Sequence, residues 1–485
     1  MGIGEYRSAS KERENNKQIK EKIMKVLILN GSPKGNNSVT LHTALYLKAL
    51  YTEHTFEILH VGQRIKVFEK DFSEPKMFLE NADLILFVYP VYTFIAPYQL
   101  HRFLELIREN SVDLSGKTAS QITTSKHFYD TTAHKFIEEN CFDFGMNVVP
   151  GLSADMDDLL TKKGQLEARN FFKQLIFSTE NKIFLCPPPV YDFPKPVRYT
   201  AQFTQVEKRQ NFDVVVVTDC DESATGSLRA MIDDFKAAAP FAVREINIAA
   251  FPFQGGCLGC FGCAVTGKCV YKDGFDSFLR NEIQNADAIV YAFTIKHHYA
   301  DSCFKNYDDR QFCNGHRTVT QGHPVGYILS GVYSREENLH TIIEARSQVG
   351  GTYLTGIVTD ESNQPVSVET KIKNLILNMT FALENRITAP MNFYGVGGIR
   401  IFRDLIYVMR GLMKADHRFY KTHGIYDDLP QRQKKRMLQM MFVGFLMKFP
   451  SVQKKMKSQM NRFIIEPYRK VVLRTTARIN NDHQS

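Results

Sequence analysis

The sequence predicts an α/β protein built from two tandem doubly wound parallel sheets, followed by a helical basic C-terminal region. Three observations carry this. Short apolar runs alternate with segments of helical period, the pattern expected of a parallel sheet covered on both faces. A proline-rich stretch interrupts the alternation, after which it restarts. Beyond Pro390 the strand-like runs cease and the chain reads as helical, basic and rich in methionine.

The first strand is KVLILN, Lys25 to Asn30, which runs through the turn GSPKGNNS into a helical pattern from Ser38 to Leu50. FEILHV (Phe56–Val61), DLILFVY (Asp83–Tyr89) and KTASQITT (Lys117–Thr124) follow as strands, with helical period between them, as from Tyr98 to Arg108. This assigns residues 24–185 to a first domain. Residues 186–211 form a stiff linker, since CPPPVYDFPKPVRY carries five prolines. The second domain, 212–389, restarts with FDVVVVTD (Phe212–Asp219) and a helix from about Gly226 to Ala239. FAVREINI, ADAIVYAF, PVGYILSG and TYLTGIV supply its further strands. Residues 390–485 form the tail.

Residues 1–23 are polar and mixed in charge, without the apolar core of a secretory signal, and read as a disordered extension. The longest apolar runs fall short of the roughly 20 residues a membrane span needs. The expectation is a cytoplasmic protein with reduced thiols, in which clustered cysteines point to metal binding or catalysis rather than disulfides. Residues 400–485 hold 19 Lys or Arg against 6 Asp or Glu, a net +13, so the rest of the chain carries −4 of the total +9. No aromatic-basic groove or recognised module points to nucleic acid.

Three loops of the first domain carry chemistry. NGSPKGNNSVT sets Ser32, Ser38 and Thr40 at a helix start, where backbone N–H groups and the helix dipole can hold a phosphate and Lys34 adds charge. The plain alternative is a Gly-Ser turn with an N-cap serine. After the third strand, Pro90, Val91, Tyr92, Thr93 and Phe94 form a rigid turn with aromatic faces suited to a planar ring. After the fourth come Thr124, Ser125, His127 and Tyr129.

These three loops, in this order, resemble those of the flavodoxin-like NAD(P)H-dependent FMN reductases and quinone reductases, over roughly Met24 to Thr179. The resemblance implies that the first loop holds the FMN phosphate and the next two flank the isoalloxazine ring. It also implies NAD(P)H as donor. His127 reads either as a ring contact or hydride-step residue, or as a solvated loop histidine.

The second domain carries GGCLGCFGCAVTGKCVYKDG, with Cys257, Cys260, Cys263 and Cys269 spaced C-x2-C-x2-C-x5-C. Its glycines argue against a helix and for a tight loop around a compact object. Three readings stand: a 4Fe–4S cluster on thiolates, a zinc ion, or unmetallated thiols. The motif resembles that of iron–sulfur flavoproteins and of flavodoxin-family oxidoreductases with the same signature, not all of which need hold a cluster. Elsewhere this domain departs from the family. Its phosphate loop reads TDCDESATGS, with Asp219, Asp221 and Glu222 where a phosphate would sit, and its ring loop puts Thr294 and Lys296 in place of proline and aromatic. Such a loop repels phosphate, so the second domain is expected to bind FMN poorly or not at all. His297, His298, His316 and His323, with Cys303 and Cys313, match no ligand spacing and are expected to pack or lie on the surface.

The expected function is an FMN-dependent NAD(P)H oxidoreductase reducing a quinone, a flavin or an electron carrier, with a relay through a 4Fe–4S cluster. The alternative is an electron-transfer flavoprotein without its own small-molecule substrate. The partners expected are a small-molecule or protein electron acceptor, a second copy in a homodimer, and no nucleic acid. For the tail, a packed helix with a solvated basic face stands against peripheral membrane contact through the segment Lys434 to Met460.

Overall fold

The computed structural model describes residues 23–189, 195–362, 366–454, 465–466, 468–471 and 473. The expected N-terminal extension, up to residue 22, and residues 190–194 of the linker lie outside the described residues.

The first half runs β1 (Lys25–Asn30), α1 (Val39–Leu50), β2 (Thr55–Leu59), α2 (Val61–Phe68), α3 (Ser73–Asn81), β3 (Leu84–Pro90), α4 (Tyr98–Glu109), β4 (Thr118–Ser125), α5 (Asp130–Asp143), β5 (Asn147–Val148), β6 (Leu152–Asp155) and α6 (Lys162–Glu180). The strands pair in parallel in the order β2-β1-β3-β4-β5, and β6 continues along β4. The second half runs β7 (Gln210–Thr218), α7 (Ser227–Ala238), β8 (Phe241–Asn247), α8 (Gly262–Thr266), α9 (Phe275–Phe278), β9 (Ala288–Thr294), α10 (Ser302–Arg310), β10 (Pro324–Ser330), α11 (Glu337–Gly350), β11 (Tyr353–Thr359) and α12 (Val368–Asn385). Its order is β8-β7-β9-β10-β11, all parallel. Counted within each half, both orders are 2-1-3-4-5, the flavodoxin-like winding with its switch point between the first and third strands.

The central strands are buried on both faces because they alternate nothing: Leu84 to Tyr89 and Ala288 to Phe293 are apolar and inaccessible throughout. One apolar core is shared by the inner faces of both sheets and includes Leu29, Phe87, Phe103 and Phe136 from the first half and Val217, Phe293, Phe304 and Ile342 from the second. The outer faces are covered separately, by α1 and α6 on the first sheet and by α7 and α12 on the second.

The halves meet through α4 and α10, and the joint is reciprocal. Glu105, the eighth residue of α4, accepts from the Ser302 N–H that starts α10, at 2.7 Å. Asp309, the eighth residue of α10, accepts from the Tyr98 N–H that starts α4, also at 2.7 Å. Each carboxylate answers an orphan donor and the positive end of the opposing helix. The helices therefore lie antiparallel, each capping the other.

Residues up to Phe419 form one compact unit and those from Tyr420 onward a second. The separate tail thus starts later than residue 390, because a further helix, α13 (Phe393–Val408), packs onto α11. Asn392 caps it by accepting from Tyr394 N–H, and its own N–H reaches Gln348 of α11 at 2.7 Å. Gly398 permits the close approach, since a Cβ there would stand 2.6 Å from Val349 Cγ2. In the second unit, α14 (Lys434–Leu446) is a basic-led apolar helix.

Candidate functional site

Both sheets present their loops at the carboxyl ends of the strands, and one cavity of about 210 Å3, open on one side, joins the loops of the two halves. Its wall is mostly apolar.

The first-half wall begins at the β1 loop. Buried Asn30 braces that loop from within: its amide donates to Gly35 O at 3.1 Å and its oxygen accepts from Ser32 N–H at 3.2 Å. Ser38 caps α1 by accepting from Leu41 N–H, which leaves the first-turn amides of Val39 and Thr40 directed outward. Ser32, Lys34, Ser38 and Thr40 all line the cavity. The β3 loop adds Pro90, Val91, Tyr92 and Thr93, and the β4 loop adds Thr124 and Ser125. Thr124 Oγ1 is buried without a partner, a donor and acceptor left for a ring with polar edges. The cradle thus fits a phosphate joined to a planar heterocycle.

Two expected residues stand elsewhere. Phe94 does not line the cavity. It is buried behind the loop, 5.3 Å from the Phe128 ring and 4.6 Å from the Tyr129 ring, with the Arg346 guanidinium 5.8 Å away. His127 is also outside. Its Nδ1 pairs with Asp130 at 2.8 Å and its side chain is half exposed, so the solvated-loop reading fits its placement.

The second-half wall is the cysteine loop. Cys257, Cys260, Cys263 and Cys269 all line the cavity, together with Leu258, Gly259 and Phe261. The loop lies against the first-half loops so closely that a Cβ on Gly259 would sit 1.9 Å from Tyr92 Oη. Gly259 has φ +60°, the left-handed region that glycine alone adopts without cost. Lys34 Nζ lies 5.4 Å over the Phe261 ring. Burial pushes the Cys257 thiol up, and burial with neighbouring Asp416 pushes Cys263 up to about 11. Without a cation, both are neutral thiols at pH 7. Gly259 N–H points at Cys257 Sγ, at 3.5 Å.

Among the described residues, the one group of His, Cys, Asp or Glu whose ligand atoms all lie within 4.8 Å of one another is Glu139, His298 and Glu336. No three cysteine sulfurs converge so tightly. A single zinc ion needs its thiolates about 2.3 Å away on every side, so this arrangement does not fit one ion.

Helix α10 registers one wall against the other. Fully buried Lys305 donates to Tyr92 O at 2.7 Å and pairs with Asp309, which also accepts from Thr93 Oγ1 at 2.9 Å. The next residue, Arg310, donates to Gly255 O at 2.9 Å and forms a two-pronged pair with Asp273, both at 2.8 Å. Those two partners bracket the cysteine loop. One helix end therefore fixes both the ring loop of the first half and the thiol loop of the second.

Contributors the sequence did not place at the site include Phe402 and Leu405, and Cys313 and His316, expected only to pack or lie on the surface, also line the cavity. His316 Nδ1 is 3.0 Å from the buried Asp416 carboxylate and its ring lies 4.2 Å from Phe402. Phe402 and Leu405 arrive on α13 from beyond both sheets, and Cys313 and His316 follow directly after α10, so no local spacing announces any of them.

The equivalent loops of the second half are filled differently. Burial, then the Asp301 carboxylate, pushes Asp219 up to about 7. Ser227, at the start of α7, is engaged by the linker: it donates to Val197 O and accepts from Tyr199 N–H, both at 3.0 Å. Val197 N–H donates to Asp360 O and Ser362 N–H to Lys195 O. The helix start that would meet a phosphate is thus acidic and strapped. In the ring loop, His298 is clamped between Glu336 on Nδ1 at 2.9 Å and Asp143 on Nε2 at 3.1 Å. These carboxylates outweigh burial and raise it to about 10. With both nitrogens engaged, the imidazolium is itself the cation of the Glu139–His298–Glu336 group.

The fold is that of a flavodoxin-like α/β chain, and the loops of its first half face the cysteine loop of its second across one cavity. Residues 24–147, about a quarter of the chain, match the family model for the flavodoxin-like fold. No curated protein matches the chain. Among solved structures, it is similar to an NAD(P)H:quinone oxidoreductase from Methanothermobacter marburgensis (13% identity, 35% of this chain, 100% of that one, TM-score 0.25). It is likewise similar to an FMN-dependent NADH-azoreductase from Bacillus anthracis in complex with FMN (15%, 33% and 99%, 0.25). A third is the flavoenzyme NAD(P)H:(acceptor) oxidoreductase from Paracoccus denitrificans (17%, 33% and 98%, 0.28). Each spans about a third of the chain.

Proposed function

We propose that this protein is an FMN-dependent NAD(P)H oxidoreductase whose single flavin faces a 4Fe–4S cluster held by the second half. The observation that supports it is the shared cavity, lined by three cradle loops of one half and all four clustered cysteines of the other. Ser32, Ser38, Thr40 and the first-turn amides of α1 bind the phosphate, with Lys34 offsetting its charge. Pro90 to Thr93 and Thr124 to Ser125 border the ring. FMN supplies two-electron acceptance and one-electron release, and a cluster on Cys257, Cys260, Cys263 and Cys269 supplies one-electron transfer. Phe128, Met156, Phe402 and Leu405 keep water from the space between. The acceptor is a quinone, a flavin or an electron-carrier protein.

The test compares two acceptors. FMN-loaded protein is given NAD(P)H with either a quinone or a one-electron protein acceptor, as wild type and as Cys257→Ser/Cys263→Ser. The relay predicts that the variant keeps quinone reduction within about twofold and loses one-electron reduction by about tenfold or more. Equal rates of both reactions in the two proteins contradict the relay. No NAD(P)H oxidation by the wild type with any acceptor contradicts the enzyme.

A further inference from the structure

The second unit carries a surface that the redox chemistry leaves unused. Helix α14 has no buried residue. Leu438, Met441 and Phe442 are 66%, 70% and 63% exposed, and Met437, Met440 and Phe445 are also more than half exposed. Soluble surfaces rarely gather so many large apolar side chains in one place, and such a patch marks an interaction site.

The charges beside it say what covers it. Lys434, Lys435 and Arg436 lead into the helix, Lys448 and Lys454 follow it, and no Asp or Glu occurs from residue 434 to 454. An apolar stretch with cations at both ends and no anion complements a surface that is apolar below and negative above. No described helix is long and apolar enough to cross a membrane. At 13 residues α14 extends about 20 Å, short of a bilayer core. It can lie in the interface plane, with its apolar residues among acyl chains and its lysines at the headgroups.

We infer that α14 is an in-plane anchor for an anionic lipid bilayer. Apolar burial and basic attraction act together there, and neither alone suffices for stable attachment.

The test is co-sedimentation of the full-length, FMN-loaded protein with vesicles of phosphatidylcholine alone or with about 30% phosphatidylglycerol. The expected result is binding to the anionic vesicles only, weakened by added salt, and reduced about tenfold or more by Phe442→Asp/Phe445→Asp. Both residues are exposed, so flavin content and thermal unfolding of that variant should match wild type. Binding to neither vesicle overturns the inference. Binding to anionic vesicles that survives the double substitution also overturns it. Self-association of the wild type in sedimentation velocity, abolished by the same variant without vesicle binding, assigns the face to a second copy and overturns it too.

Discussion

The ring loops of the two halves have one backbone and two chemistries. Val91-Tyr92-Thr93-Phe94-Ile95 and Ile295-Lys296-His297-His298-Tyr299 both close with a narrow bridge, Tyr92 to Ile95 and Lys296 to Tyr299. Both place their two tip residues at positive φ, 44° and 74° in the first, 53° and 71° in the second. Both lead into an antiparallel interface helix. In the first, Phe94 packs among rings behind a cavity that Tyr92 and Thr93 line. In the second, His298 at the Phe94 position binds two carboxylates. A strained loop geometry is thus kept in both halves because it aims the helix that joins them. Its side chains are free to serve a cofactor in one half and a salt clamp in the other.

The joint itself offers the largest effect. Lys305→Met leaves Asp309 buried without its cation and takes one of two donors from Tyr92 O, at a cost of about 3–5 kcal/mol. Urea unfolding should shift accordingly, and flavin should be lost with it, since the ring loop loses its anchor. Next, Gly259→Ala drives a methyl into Tyr92 Oη and strains a left-handed residue, costing about 1–3 kcal/mol. Tyr92→Phe should recover part of that loss, a coupling visible in a double-mutant cycle.

The clamp makes stability depend on pH. His298 is raised to about 10 from its ordinary 6.5, so its contribution is complete below pH 6.5 and is lost as pH rises through 10. Over that window the wild type should lose on the order of 1–3 kcal/mol. His298→Phe, which copies the first half, should be less stable at pH 7 and lack this slope in denaturation midpoints. The smallest effect is expected from Asp219→Ser. It removes one acid from the second cradle while the linker still holds Ser227, so flavin content measured by absorbance should stay unchanged.

Much of this was legible in the chain. Uninterrupted apolar runs such as VVVV and the restart after the prolines marked both sheets. The loop residues from Ser32 to Ser125 named the cradle because small, hydroxyl and aromatic types cluster at strand ends. The fifth strand of the first half was not legible. It is split at Val149 to Gly151, where Pro150 interrupts the ladder, leaving two short pieces with no apolar run. Nor could spacing reveal that Phe94 turns away from the cavity, since that depends on Phe128 and Tyr129 packing from another loop. Phe402 belongs to the site only through long-range packing of α13, and His316 only because the segment after α10 turns back toward the cysteine loop. Arg310 looks like the end of a polar helix in sequence, although it is fully buried as a clasp on the cysteine loop.

The central claim is that one flavin and one thiol-held cluster share the cavity between the halves. It is tested most directly on anaerobically purified protein, by absorption spectroscopy with flavin, iron and sulfide assays on the same sample. The account predicts one FMN with about four irons and four sulfides per chain. Two flavins per chain, or a full flavin complement with no iron in anaerobic protein, would contradict it.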